Sequence, residues 1–369
     1  MTIKVPEVML PAFERISHPF HVWDGIISTP ESLSSILQER LSIQKIAHET
    51  SHRSNVHLLG CGSSYFSAIA GTYFFHEVAG INAFAHQAWE FSAYPIPKRD
   101  NRLYIAISHT GSTPVVLDSI NSLKGLDVST IGLTDVEDSP LAEATNHVIL
   151  GKEGREPAIP KTRSYVVSLL KHYLLAIEMG AIKGFDVLKY KEALESSPKL
   201  AKVVITENDE FTKQLGSTFK DLSRVFVLGA GPNRATAYEA SLKLKEIVHL
   251  SASGWQLEEG MHGPWVSMKE NDLVILIATK GSSFEKARKF VSAIKEIGTK
   301  VWVITNAESI EGADYVTNIP DVPENVTPLY TILPIYQFAY QLALAKGIHP
   351  DIMNLNNESY LKTRLSLPR

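Results

Sequence analysis

The chain has 369 residues, 44% hydrophobic and 21% charged, which is long enough for two or three packed domains. A net charge of −4 excludes the electrostatic footprint of a nucleic-acid or anionic-membrane binder. Cys61 is the single cysteine, so a disulfide within the chain is excluded and a reducing, cytoplasmic setting is expected.

The opening stretch "MTIKVPEVMLPAFERISHPF" carries Glu7 and Glu14 early and lacks the basic-then-apolar pattern of a leader. No apolar run approaches the roughly 18 residues of a membrane span. "TPESLSSILQERLSIQKIA" reads as helix with Thr29 as its cap, and the first 50 residues are expected to hold one or two helices.

From there the chain is written twice. "NVHLLGCGSSY" (55–65) is an apolar strand running into a Gly-x-Gly turn, and "RVFVLGAGPNR" (224–234) repeats it, Gly60 against Gly229. "LYIAISHTGST" (103–113) has its echo in "LVILIATKGSS" (273–283), Gly111 against Gly281. "VSTIGLTDVEDSPLAEATNHVI" answers "KVWVITNAESIEGADYVTNI" at nearly the same offset. Strands that are apolar throughout alternate with helices such as "SSYFSAIAGTYFFHEVAG" and "FEKARKFVSAIKEIG". That alternation implies parallel sheets covered on both faces. The expected fold is α/β: two tandem αβα sandwiches, flavodoxin-like, with five-stranded parallel sheets. The expected divisions are an N-terminal helical segment (1–50), a first domain (51–200), a second domain (201–345) and a C-terminal tail (346–369) over the active site. The region 155–220 reads as helical and bridges the copies.

In open α/β sheets, ligands sit beyond the C-terminal strand ends, where "GCGSSY" and "SHTGST" fall. Ser63, Ser64, Ser108, Thr110, Ser112 and Thr113 bracket two helix N-termini, an arrangement suited to a phosphate. Gly62 and Gly111 let the backbone approach it closely. The competing reading is that these hydroxyls merely cap helices. No Gly-Lys-Ser/Thr follows, and neither Gly-x-Gly turn supplies the third glycine of a dinucleotide fingerprint, so no nucleotide cofactor is expected. The second copy keeps the glycines and loses half the hydroxyls, which points to one phosphate site per chain.

The second copy carries "RATAYEASLKLKEIVHL" (234–250), where Glu239, Lys243 and Glu246 share one helix face. A surface salt-bridge ladder is the ordinary reading of such a triplet. Beyond it, His262 sits in "MHGP", a loop bounded by Gly and Pro. A carboxylate, an amine and an imidazole beside a phosphate pocket would form an acid/base set for a sugar phosphate. No metal-ligand spacing is evident among the 13 histidines, and "HPFH" (18–21) is isolated from any carboxylate cluster.

Taken together, "GCGSSY", "SHTGST", "EASLKLKEI", "MHGP" and the C-terminal "LKT" resemble the sugar isomerase (SIS) domain family. The likeness is to the isomerase half of glucosamine-6-phosphate synthase and its stand-alone relatives, over roughly residues 30–369. The resemblance implies that Ser64, Ser108, His109, Thr110 and Thr113 line the phosphate pocket, with Ile159 and Lys161 of "EPAIPKTRSYV" near the sugar. It implies that Glu246 shuttles a proton between C1 and C2 with support from Lys243. His262 would open the sugar ring, reaching across from the partner of a homodimer, and Lys362 of "YLKTRLSL" would meet the open-chain carbonyl. Met261 stands where the family usually has a basic residue, and Ser253 where an acidic one is expected, with Glu258 and Glu259 added nearby.

Thr2 stands where a glutaminase domain would begin with cysteine, so glutamine-dependent synthesis is not expected of this chain. The expected activity is metal-independent: an isomerase/deaminase acting on an amino-sugar 6-phosphate, favouring glucosamine 6-phosphate. Rival readings are a ketose/aldose phosphate isomerase, a fructoselysine-6-phosphate deglycase, and a non-catalytic phosphosugar sensor. The expected partners are a sugar phosphate and a second copy of the chain, with neither nucleic acid nor membrane.

Overall fold

The structure is a computed structural model that describes residues 4–94, 96–307 and 310–367. Three helices precede the first strand: α1 (His21–Ile27), α2 (Thr29–Gln38) and α3 (Arg40–Thr50), after a 3-10 stretch over Glu7–Phe13. This is one helix more than the sequence pattern separates, because a bend at Glu39 divides "TPESLSSILQERLSIQKIA" into two.

The first repeat runs β1 (Asn55–Gly60), α4 (Ser63–Ala79), β2 (Asn82–Gln87), α5 (Ala88–Ala93), β3 (Arg102–Ile107), α6 (Pro114–Asn121), β4 (Ser129–Thr134), α7 (Pro140–Ala144) and β5 (His147–Leu150). Three helices follow, α8 (Arg163–Ile182), α9 (Leu188–Glu195) and α10 (Ser197–Thr218). The second repeat runs β6 (Arg224–Gly229), α11 (Asn233–Val248), β7 (Ser251–Gln256), α12 (Leu257–Met261), β8 (Leu273–Ile277), α13 (Phe284–Lys295), β9 (Lys300–Thr305) and β10 (Tyr315–Asn318). The chain ends in α14 (Pro328–Thr331), α15 (Leu333–Ala345) and α16 (Glu358–Ser366).

The strands pair in parallel in the order β2-β1-β3-β4-β5 and, in the second sheet, β10-β9-β8-β6-β7. Read from the other edge, the second order matches the first. Both repeats are therefore doubly wound α/β units. In each, the chain turns outward one way after the first strand and the other way after the third, so those two neighbouring strands end at the topological switch point. "GCGSSY" and "SHTGST" lie there in the first repeat, "GAGPN" and "TKGSS" in the second.

Continuous burial along β1, β3, β4, β6, β8 and β9 reflects cover on both faces. In the first repeat, Leu59, Tyr104 and Ala106 pack under Phe91, Val116, Ile120 and Leu141. In the second, Leu228, Val274, Leu276 and Val303 pack under Ala287, Phe290, Val291 and Ile294. Glycines end the leading strand of each repeat for one reason. A Cβ on Gly60 would meet the backbone of Ser64 at 2.7 Å, and one on Gly229 the carbonyl of Asn233 at 2.3 Å. Only glycine lets the strand end pass so close to the helix that follows.

The residues form two compact units. One holds the first repeat, Thr29–Arg155 with Ser164–Lys199. The other holds the second repeat from Leu200 onward, together with the chain up to Ser28 and the short segment Glu156–Arg163. Contrary to the expectation from sequence, helix α8 is by length and composition apolar enough to cross a membrane, but most of it is buried inside the protein. It contains Lys171 and His172, both fully buried, and serves as a core helix of its unit.

Candidate functional site

The residues singled out by sequence fall into two groups, one in each unit. In the first, β3 ends at Ile107 and the chain turns tightly: Gly111, φ +62°, donates its N–H to the Ser108 carbonyl at 2.9 Å. A Cβ at Gly111 would strike the Ser139 hydroxyl at 2.1 Å, so the turn is packed hard onto the start of α7. The hydroxyls are not spent on capping. Thr113 precedes α6 without a side-chain cap bond, and Gly62 occupies the cap position of α4. Instead the Ser108 and Thr113 hydroxyls bond each other at 2.9 Å, as do those of Thr110 and Ser112. Ser108 is buried, while Ser63, Ser64, Thr110, Ser112 and Thr113 retain exposure.

His109 leads to two residues that the sequence reading passed over. Its Nδ1 donates to Asp135 Oδ2 at 2.7 Å, and the other oxygen of Asp135 binds Lys171, which also donates to the Thr134 carbonyl at 2.8 Å. Burial alone would raise the Asp135 carboxyl, but Lys171 and His109 outweigh it and hold it well below the usual carboxylate range. Asp135 is thus a buried anion that accepts from His109, leaving the Nδ1 proton fixed in place. A Cβ at Gly151 would lie 2.0 Å from this carboxylate, so the start of the loop after β5 is glycine to make room. Two signals were available in the sequence: Asp135 stands one residue past a strand end, and Lys171 lies in the middle of a largely apolar helix.

In the second unit, the triplet on α11 is no surface ladder. Glu239 and Lys243 are buried, at 0% and 2% exposure, and Glu246 is mostly covered, its side chain 18% exposed. Lys243 pairs with Glu246 and lies 3.7 Å from Glu239 Oε1, which also accepts from the Tyr336 hydroxyl at 2.8 Å. Burial pulls the Lys243 pKa down, but the carboxylates of Glu246, Glu239 and Glu156 outweigh it and hold it above the ordinary lysine value. Lys243 is therefore a permanent cation at neutral pH and cannot accept a proton. Of the three, only Glu246 keeps a partly open carboxylate.

Glu156 is the second omission of the sequence reading. It is 3% exposed, accepts from the Thr162 N–H at 3.0 Å, and belongs to the segment that joins the second unit. Lys161 in that segment turns its ammonium onto the carbonyls of Glu156 and Ala158, and the Ile159 N–H donates to the Asp351 carbonyl at 2.8 Å. Lys161 thus bonds within its own loop, whereas Ile159 ties that loop to Asp351.

His262 lies past α12 with 69% of its side chain exposed, and its Nε2 meets Glu258 Oε1 at 3.2 Å. Glu258 also pairs with Lys286, so the acidic residue that departs from the family pattern here tethers the imidazole. A largely apolar cavity of about 680 Å³ adjoins this loop, lined by Met261, Trp265, Phe290 and Ile294 among others. Lys362 is exposed on α16 and pairs with Glu358 at 2.9 Å, one turn away. Among the described residues, no group of three or more His, Cys, Asp or Glu is placed to hold a metal ion.

The profile of the SIS domain family matches the chain twice, over residues 50–178 and 218–345. The chain belongs to the SIS domain family. Among curated proteins it is 28% identical to the glutamine–fructose-6-phosphate aminotransferase (isomerizing) of Pyrococcus horikoshii, over 83% of this chain and 52% of that protein. The SIS chain spans about half the length of the curated relatives it matches. Among solved structures, the C-terminal domain of glucosamine-fructose-6-phosphate aminotransferase from Francisella tularensis superposes with a TM-score of 0.85 at 19% identity, covering 91% of this chain and 99% of that one. Glucosamine-6-phosphate deaminase from Thermotoga maritima gives a TM-score of 0.73 at 25% identity, with 90% and 96% covered. Both repeats of the SIS family are thus accounted for in the matched ranges, and their boundaries agree with the two sheets.

Proposed function

We propose that this SIS protein is a phosphosugar isomerase whose substrate is an amino-sugar 6-phosphate, glucosamine 6-phosphate being favoured, and that it releases ammonia. The observation that carries the reading is the burial of Glu239 and Lys243 beneath Glu246. A helix does not bury a Glu-Lys-Glu row for stability alone, since a buried ion pair is weak as a stabilising device. A fixed cation that holds a partly open carboxylate suits proton transfer.

In this mechanism the hydroxyls and backbone N–H groups of "SHTGST" and "GCGSSY" hold the phosphate. The ring opens with help from His262, and Glu246 takes the proton from C2 and returns it to C1. The amine at C2 becomes an imine, which water hydrolyses to fructose 6-phosphate and ammonia. Lys243 does not touch the reacting atoms; it pairs with the Glu246 carboxylate and fixes its position. Lys362 meets the open-chain carbonyl. The same proton transfer on a sugar without the amine would be a plain aldose/ketose isomerisation.

The reading is tested by assaying purified protein for ammonia and fructose 6-phosphate from glucosamine 6-phosphate. Turnover of galactosamine 6-phosphate or fructoselysine 6-phosphate alone would replace the substrate and keep the chemistry. Tight binding of a sugar phosphate with no turnover of any would make the protein a sensor instead.

The exposure of His262 supports a further element of the proposal, that the protein works as a homodimer in which His262 serves the partner's sugar. Inactive Glu246→Gln and His262→Ala variants, mixed and allowed to exchange subunits, should then recover about a quarter of the wild-type rate, because half the dimers carry one intact site. No recovery despite demonstrated exchange would assign His262 to its own chain.

A further inference from the structure

The second repeat keeps the glycine loops of the first at its own switch point, but a carboxylate of the same unit lies in them. Gly281, φ +148°, follows β8 in "TKGSS". A Cβ there would meet Glu324 Oε2 at 2.0 Å and Oε1 at 2.7 Å, so the carboxylate lies flat against this glycine. The Ser282 N–H points to Oε2 at 3.4 Å, and a Cβ on Gly231 in "GAGPN" would come within 3.8 Å of Oε1. Helix α13, twelve residues long, begins directly after this loop and adds the positive end of its dipole. A negative oxygen pair thus rests on both glycine loops, where a doubly wound unit receives the anionic part of a ligand.

The segment bearing Glu324 is anchored to the same two loops. Its carbonyl accepts from the Thr327 hydroxyl at 2.6 Å, and that hydroxyl accepts from Asn233 Nδ2 at 2.8 Å. Asn233 starts α11 beyond "GAGP", is buried, and also reaches the Thr279 hydroxyl at 3.4 Å, just before "KGSS". The carboxylate is a seated part of the loop cluster.

The first repeat has a glutamate at the same remove from its last strand, Glu156 after β5 where Glu324 follows β10. Glu156 has another employment, beside Thr162 and in the field of Lys243. The two copies therefore dispose of one inherited carboxylate in opposite ways.

We propose that the second repeat contains an anion cradle, of a kind that takes a phosphate monoester, and that Glu324 keeps it filled from within. The chain's own carboxylate thereby confines phosphate to the loops of the first repeat; that clause rests on the proposed function, whereas the filled cradle does not. The experiment counts bound inorganic phosphate by equilibrium dialysis on the full chain, as wild type, Glu324→Ala and Glu324→Asp. Glu324→Ala should bind one more phosphate per chain than wild type, and Glu324→Asp, which keeps the charge, should match wild type. Thermal unfolding supplies a second readout: Glu324→Ala should lose stability that phosphate or acetate restores, relative to chloride at equal ionic strength. An unchanged phosphate count together with an anion-independent Tm would overturn the proposal and leave Glu324 as a packing wedge. Should Glu324→Ala fail to fold, Glu324→Gln carries the same decision through the anion dependence of its Tm. A wild type that binds no phosphate would count against the proposed function, while a gain in the variant would still establish the cradle.

Discussion

The two SIS repeats share a strand order, a pair of switch-point loops and the same glycines, yet they differ in what those loops do. In the first, the loops carry hydroxyls, and the buried charges lie below them in Asp135 and Lys171. In the second, the loops are poor in hydroxyls and hold Glu324, and the buried charges lie on α11 in Glu239, Lys243 and Glu246. Duplication supplies two copies of one scaffold; each copy is then free to lose what the other retains. The proposed function assigns binding to the first repeat and proton transfer to the second, and that division can be broken by experiment.

The largest effect should come from the second repeat. Glu246→Gln should lower kcat by about 10³-fold, within the range expected when a general acid/base is removed, while sugar-phosphate binding persists. Loss of binding with kcat intact would move Glu246 out of the chemistry and undo the division. Lys243→Met should also reduce kcat, since it frees the carboxylate that Lys243 holds; rescue by Lys243→Arg would show that the cation is what matters.

A loss of stability comes next, and it belongs to the first repeat. Removing one partner of a buried ion pair typically costs about 3–5 kcal/mol. Asp135→Asn or Lys171→Met should lower unfolding free energy by an amount of that order, read by urea denaturation. Replacing both by apolar residues of similar size should recover much of the loss, which would identify the pair as an orienting device for His109. The signature of orientation, beyond stability, would be a changed pH profile of sugar-phosphate binding in Asp135→Asn.

Acid should also act on the first repeat before the second. Burial pushes His172 down to about 3, and burial with His86 and Arg102 does the same to His57. Both groups stay neutral in the folded state while an unfolded histidine titrates near pH 6.5, so their contribution is complete above that pH. It is lost as pH falls from about 6.5 towards 3, at about 1.4 kcal/mol per pH unit for each histidine. Asp135, whose carboxyl is depressed, adds a further loss below about pH 4. Hydrogen-exchange protection, taken relative to the intrinsic rate at each pH, should therefore fall first in β1, α4 and α8 between pH 7 and 4. An earlier loss of protection in β6 and α11 would contradict this ordering.

Much of this was legible in the chain, and the boundary of legibility is physical. Gly60 against Gly229 and Gly111 against Gly281 exposed the duplication, because a strand end passing close to a helix start tolerates nothing larger. The α11 triplet could be placed on one face by its spacing, but spacing does not distinguish a surface ladder from a buried row. That distinction depends on α15, where Tyr336 covers Glu239. Asp135 and Lys171 are far apart in sequence and meet only through the fold. The fate of Glu156 was hidden because the short segment Glu156–Arg163 packs with the unit of the second repeat, whereas its sequence follows directly from the first. Lys362 marks the opposite limit: the resemblance assigns it a role, and among the described residues its ion-pair partner is Glu358 on the same helix face.

The smallest prediction is also the most direct test of the difference between the loops. In the first repeat, the buried Ser108 hydroxyl bonds Thr113 at 2.9 Å, so Thr113→Ala leaves a covered polar group without that partner. A lost hydrogen bond of this kind is worth about 1 kcal/mol, and the same substitution should weaken sugar-phosphate binding. In the second repeat, Ser283 precedes α13 without a side-chain cap bond and stands where Thr113 stands in the first. Ser283→Ala should change stability by less than about 0.5 kcal/mol and leave binding unaltered, as substitutions away from buried or bonded groups do. If both substitutions weaken binding alike, the loops remain functionally equivalent, and Glu324 does not close the second cradle to phosphate. If only Thr113→Ala does, the two copies have parted at the level of single hydroxyls.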